Sequence, residues 1–124
     1  MMPRLIRVHR DPAGLLEGRA LPGSGRHGEI LAAFLQSDVQ GDIETARMLL
    51  AETAAAERGE SPQSGGAGNA FSITISPEGA VIRNAVVEGA APERYSLTEL
   101  RSALETWIAA IERARHSAAP PAAP

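Results

Sequence analysis

Three patterns in the chain hold residue types able to do chemistry. Gly23-Ser24-Gly25-Arg26-His27-Gly28 matches G-x-G-x-x-G, a loop whose bare amides can approach phosphate oxygens at a helix N-terminus. The dinucleotide fold that uses this loop also needs a second strand ending in an acid about twenty residues later. Gly41-Asp42-Ile43-Glu44 stands there and reads as the start of a helix, so a plain glycine loop is the expectation. The histidines, His9, His27 and His116, fall on a strand, a loop and a helix end, with no two at metal-ligand spacing. No serine lies in a G-x-S-x-G elbow. The carboxylates are scattered over faces expected to be exposed, and no pair suited to acid–base work stands out. Cysteine is absent, which removes disulfides, zinc knuckles and thiol nucleophiles together. No catalytic residue, metal or cofactor is assigned, and the expectation is a binding protein and not an enzyme.

Charge narrows the partner classes. Twelve bases, all arginine, against fifteen acids leave a net charge of -3, a poor match to a nucleic-acid binder that relies on a broad basic surface. The distribution is uneven. Arg4, Arg7, Arg10, Arg19 and Arg26 load the first quarter with positive charge, and Asp38, Asp42, Glu44, Glu52, Glu57 and Glu60 make the next stretch acidic. The N-terminal arginines keep weak nucleic-acid binding open as a second alternative, although no exposed aromatics are interleaved with them for stacking. No apolar run has the length of a signal peptide or a membrane span, so a cytoplasmic location and no membrane partner are expected.

The elements that must position these groups follow from periodicity. At 124 residues with 44% hydrophobic content, one domain spanning 1–117 is expected. Residues 5–8 read as a strand, Asp11-Pro12-Ala13-Gly14 as a turn, and residues 15–21 as a returning strand weakened by Gly18. From Glu29, residues Ile30, Leu31, Phe34, Leu35 and Val39 recur at helical spacing. Gly41 interrupts, and Asp42 can cap a second helix with the stripe Ile43, Ala46, Leu49, Leu50 and Ala54; a single helix through Gly41 is the alternative. Residues 59–68 have the composition of a mobile linker. Phe71, Ile73 and Ile75 alternate with polar residues, Ser76-Pro77-Glu78-Gly79 turns, and residues 81–87 return as a partner strand. Ser96-Leu97-Thr98-Glu99 is a capping box opening a helix whose apolar row is Leu97, Leu100, Leu104, Trp107, Ile108 and Ile111, with Trp107 expected in the core. An Ala/Pro tail over 118–124 has no reason to order. The fold class is α+β in the order β(β)ααββα, with a small antiparallel sheet packed on two to three helices, the C-terminal one foremost.

The order of parts resembles a group of small bacterial proteins that includes the YacL-like family and immunity proteins of contact-dependent growth inhibition systems. The resemblance lies in Ser37-Asp38-Val39-Gln40-Gly41-Asp42-Ile43, Met48-Leu49-Leu50, Gly68-Asn69-Ala70-Phe71-Ser72-Ile73, Val81-Ile82-Arg83-Asn84, and Ser96-Leu97-Thr98-Glu99-Leu100 with Leu104 and Trp107. It covers about two-thirds of the chain and consists of packing positions and turns more than reactive groups. The resemblance implies a protein that binds a cognate toxin domain and blocks it, or else a solitary YacL-like protein without a toxin. Many such toxins would be nucleases with basic clefts, which an acidic surface complements. Asp38, Asp42, Glu44 and Glu52 are the acids expected to meet the partner.

Overall fold

Two strands, β1 (Ile6–Arg10) and β2 (Leu16–Ala20), pair antiparallel from Ile6↔Ala20 to Arg10↔Leu16 in a computed structural model that describes residues 4–60 and 62–118. Asp11 builds their turn: its Oδ1 accepts hydrogen bonds from the amides of Ala13 and Leu15, both at 2.9 Å. Gly18 does not break the strand. A Cβ there would lie 3.1 Å from the Trp107 ring, so the missing side chain is what lets the indole lie against β2.

The first helix, α1 (Gly25–Phe34), begins within the glycine loop, four residues before the expected start at Glu29. It runs into a π-helical turn, Leu35–Val39, closed by the Gln40 amide donating to the Leu35 carbonyl at 2.8 Å. Gln40 then takes a positive φ of 55°, and Asp42 caps α2 (Ile43–Glu57) by accepting from the amides of Glu44 and Thr45. There are thus two helices and not one. The inner face of α2 is Ile43, Ala46, Leu49, Thr53 and Ala56. Leu50 and Ala54, expected in that stripe, are only half-buried. Thr53 tolerates full burial because its hydroxyl donates to the Leu49 carbonyl at 2.7 Å.

The four-stranded sheet has the order β3-β4-β5-β6, antiparallel throughout. Its central pair, β4 (Phe71–Ser76) and β5 (Gly79–Asn84), is the expected hairpin, with Phe71, Ile73 and Ile75 buried on one side of β4. Both outer strands correct the expectation. β3 (Ser64–Ala67) forms inside the supposed linker and pairs with β4 from Ser64↔Ile75 to Ala67↔Ser72. Its glycines are structural: Gly65 has φ 115°, and a Cβ there would overlap the Ile73 carbonyl oxygen. Composition read these residues as mobile because they have nothing to bury, yet backbone pairing needs no side chain. β6 (Glu93–Tyr95) is the second unforeseen strand. β5 also stops short of residue 87, because the Asn84 Oδ1 accepts from the amides of Val86 and Val87, both at 2.8 Å, and turns the chain outward, leaving both valines exposed.

The last helix, α3 (Leu97–Ala118), starts with the expected capping box: the Glu99 amide donates to Ser96 Oγ at 3.0 Å, and the Ser96 amide to Glu99 Oε1 at 2.8 Å. It packs chiefly on α2 and β1, with only a small contact to β5, so the expectation that it mainly covers the hairpin sheet is corrected. Trp107 is completely buried, and Leu100, Leu104 and Ile111 line up beside it in one core shared by the helices and both sheets. The tail expected over 118–124 lies outside the described residues beyond Ala118. The architecture is α+β.

If β3 is an ordered strand, its glycines are unequal. Gly65→Ala should lower stability in urea unfolding by about 2 kcal/mol or more, through strain and the steric overlap. Gly66→Ala, whose Cβ enters open space, should change it by less than about 0.5 kcal/mol. Equal effects at the two positions would mean that residues 64–67 behave as the linker their composition suggests.

Candidate functional site, an acidic helix face and the groove beside it

The structure gives the four acids named above two different situations. Asp38 faces inward. Its Oδ1 and Oδ2 accept from the amides of Ala70 and Phe71, each at 2.9 Å, Ser37 Oγ donates to Oδ1 at 2.8 Å, and Asn69 donates to the Ser37 carbonyl at 3.0 Å. Asp42 is committed to its cap, where hydrogen bonds from the Thr45 hydroxyl and amide hold its carboxyl below the ordinary carboxylate range. Glu44 is exposed and Glu52 half-buried, and among the described residues neither has a basic partner. Arg47, the one base within α2, reaches Glu112 on α3 at 3.5 Å. Arg101 approaches Glu57 at 3.5 Å, and Arg58 is held by Glu60. Glu44 is therefore the open acid of α2: one carboxylate oxygen of Glu52 is buried without a hydrogen-bond partner among the described residues, and Arg47 stays exposed beside its contact with Glu112.

Beside this face lies a groove of about 290 Å³ between α2 and β3. Phe34, Val39, Leu49 and Ile73, all buried, contribute to it, with Thr45 and Met48 on the α2 side and residues 65–68 on the other. Met48 is 53% exposed. It lies outside the apolar stripe of α2, and a large apolar residue off the stripe was the one sequence signal for this groove. The strand that forms its other wall was hidden in the apparent linker.

The sequence did not foreshadow the densest polar cluster. His27, on the first turn of α1, presents Nδ1 to Glu93 Oε2 at 2.8 Å and Nε2 to Glu99 Oε2 at 3.1 Å. Its ring stacks on Tyr95 with centroids 4.3 Å apart, and the Tyr95 hydroxyl donates to the His27 carbonyl at 2.6 Å. Arg26 pairs with Glu93 and donates to the Ala91 carbonyl at 2.8 Å. The partners lie 66 and 72 residues from His27, and no local pattern joins them. Burial opposes charge on the imidazole, but the hydrogen bonds and charges of Glu93 and Glu99 outweigh it and raise the His27 pKa. Burial likewise opposes ionisation of Glu99, but the Ser96 amide and His27 outweigh it and lower the Glu99 pKa. Burial pushes the Tyr95 phenol up. With His27 protonated, two cations face two carboxylates, and the set clamps the start of α1 to β6 and the start of α3.

The glycine loop is tied down by packing. Ser24 Oγ donates to the Leu21 carbonyl at 2.6 Å, and a Cβ on the buried Gly28 would overlap the Ser24 side chain, so Gly28 serves close packing. Among the described residues no group of three or more His, Asp or Glu is arranged to hold a metal ion, and no helix is long and apolar enough to cross a membrane. In the N-terminal hairpin, Arg7 lies directly across from Arg19, which pairs with Glu17 at 2.7 Å. No protein-family model, curated protein or solved structure matches this chain.

The clamp makes stability depend on pH with a definite sign. Because the folded His27 pKa lies above its ordinary 6.5, its contribution is complete below about pH 6.5 and is lost as pH rises through the folded value. Because the folded Glu99 pKa lies below 4.5, its contribution is present above that value and is lost as pH falls through the folded one. Melting temperature compared between wild type and His27→Gln should differ most between these limits, and the difference should shrink on the alkaline side. A difference independent of pH would show that His27 acts by packing alone. Separately, Asp38→Ala leaves the Ala70 and Phe71 amides without an acceptor and should cost about 2 kcal/mol or more in urea unfolding.

Proposed function

We propose that this chain is a non-catalytic binding protein of the immunity type, which occupies a basic surface of a cognate toxin domain and blocks it. The observation that carries this reading is the exposed, unpaired carboxylate of Glu44 on α2. It has no basic partner among the described residues; Glu52 has none either, although one of its oxygens is buried, and the one arginine within the helix is drawn toward α3. Unpaired charge of one sign on an ordered face raises the rate of encounter with an oppositely charged partner and fixes its orientation. The clustered polar groups around His27 are engaged with one another, which suits a clamp that holds the scaffold beneath such a face. The resemblance to immunity proteins points the same way. A toxin that acts on nucleic acid needs a basic cleft to bind its substrate, and an acidic face competes for that cleft. Such neutralisation takes place in the cytoplasm, before the toxin meets its target.

The test sequences the DNA on either side of this reading frame for a secreted-protein gene with a variable C-terminal domain and co-expresses that domain with the chain; an isolated gene with no such neighbour would count against the reading. The chain should protect cells and co-purify with that domain one to one. Glu44→Arg with Glu52→Arg should slow association by about tenfold at low salt and flatten its salt dependence. Cell death on co-expression, with no complex formed, would overturn the reading.

A further inference from the structure

We infer that β6 is a proton-operated latch. While the His27 ring is protonated on both nitrogens it pins Glu93–Tyr95 to the start of α1. When one proton passes to water, the strand opens more readily from the edge of the sheet while the rest of the fold stays closed. The inference does not depend on the binding reading above, because it concerns the chain alone.

β6 is placed to open. It has three residues, ends the sheet opposite β3 and pairs on one side only, with β5 from Ala80↔Tyr95 to Ile82↔Glu93. The segment leading into it leaves Val86 and Val87 exposed. Its ties outside the sheet converge on Arg26-His27. Glu93 meets both of these side chains, the Tyr95 ring stacks on His27, and the Tyr95 hydroxyl donates to the His27 carbonyl. Arg26 also holds the Ala91 carbonyl just ahead of the strand.

The proton is what lets one ring serve two carboxylates. Charged, His27 donates from Nδ1 to Glu93 and from Nε2 to Glu99. Neutral, it keeps one N–H, and its other nitrogen turns a lone pair toward an anion. The two carboxylates are not equivalent. The Ser96 amide holds Glu99 through its other oxygen, so Glu99 stays beside the ring. Glu93 has a second partner in the half-exposed Arg26. The neutral ring therefore keeps Glu99 and gives up Glu93. Loss of charge also weakens the stack on Tyr95, because a cation over an aromatic face is attracted to it.

Few charges compete for the ring. Facing it are Glu93 and Tyr95 from β6, Glu99 from α3 and Arg26 from α1 itself. Among the described residues no ion pair joins it to β1, β2 or β5, which also pack on α1. Burial opposes the charged form, but Glu93 and Glu99 outweigh it and hold the folded pKa above 6.5. The latch is therefore shut below about pH 6.5 and loosens as pH rises through the folded value. The remaining ties do not share this dependence. β4 is paired on both sides, Asp38 holds the amides that begin it, and the Ser96 capping box forms without His27.

The experiment follows amide exchange of the free chain below pH 6.5 and at about pH 9, short of the ordinary tyrosine range. Each rate is taken relative to the unstructured rate at the same pH. Protection at residues 93–95 should fall by about tenfold or more at the higher pH, the effect of losing one hydrogen bond between charged groups. Protection at 72–75 in β4 and 100–107 in α3 should hold. His27→Gln, neutral at every pH, should leave 93–95 weakly protected throughout. Glu93→Gln, which keeps the ring but removes one of its anions, should move the wild-type transition to lower pH. Equal protection of 93–95 at both pH values in wild type would overturn the latch. So would a loss of protection that β4 and α3 share with β6, since the proton would then act on the whole fold.

Discussion

The corner at residues 35–41 is the constraint on which the rest of the fold depends. Within it the Asp38 carboxylate accepts the amides that begin β4, and the Gln40 carbonyl accepts the Trp107 indole N–H at 2.7 Å. One short stretch thus fixes both the sheet and α3 relative to α1. A regular helix would not present both acceptors in this way. The π turn holds one more residue than an α-helical turn, and each residue advances a helix by about 100°, so everything after it is rotated relative to α1. Gln40 then adopts a positive φ that ordinary residues avoid. That cost is offset because a fully buried indole without an acceptor would be worse.

The His27 clamp closes the other end of the same scaffold. Asp38 ties the end of α1 to β4, and His27 ties its start to β6 and to the first turn of α3. Glu99 carries two duties at once, since one oxygen completes the capping box and the other meets His27. The two ends are secured by different physics. The Asp38 end rests on backbone amides that do not titrate, whereas the His27 end depends on a proton, and loss of that proton leaves a ring nitrogen facing a carboxylate with nothing to donate.

Legibility in the sequence followed the range of the interaction. The Asp11 turn, the Asp42 cap, the β4–β5 hairpin and the Ser96 capping box depend on residues within a few positions of each other, and all four were readable. Trp107 was placed in the core by its position in an apolar row. Interactions across the chain were not readable, although their parts were. Ser37-Asp38 and Gly68-Asn69-Ala70-Phe71 both stood out as patterned segments, and nothing local showed that one binds the other. The same holds for His27, Glu93 and Glu99. β3 failed for a different reason: glycine has the same signature in a mobile linker and in a strand held by its backbone alone. Of the four acids singled out, the capping role of Asp42 was visible, that of Asp38 was not, and only the structure separates them from Glu44 and Glu52.

That separation bears on which surface residues the fold itself requires. Asp38 and Asp42 are spent on the fold, so a change at either one alters the corner or the cap whatever it does at the surface. Glu44 and Met48, both exposed, carry no such duty, and Glu52 lies between the two cases with one oxygen buried. Their positions on α2 are set by a helix whose inner face, cap and end are all secured elsewhere: Ile43, Leu49 and Thr53 inside, Asp42 at the start, and Gly59 with its φ of 71° just past the end. The fold therefore leaves the outer turns of α2 free to vary in charge and bulk without loss of the core, whereas Gly65 in β3 is fixed by its positive φ and by the Ile73 carbonyl against it. An exposed residue on such a helix can change without any change in the residues that hold the helix in place.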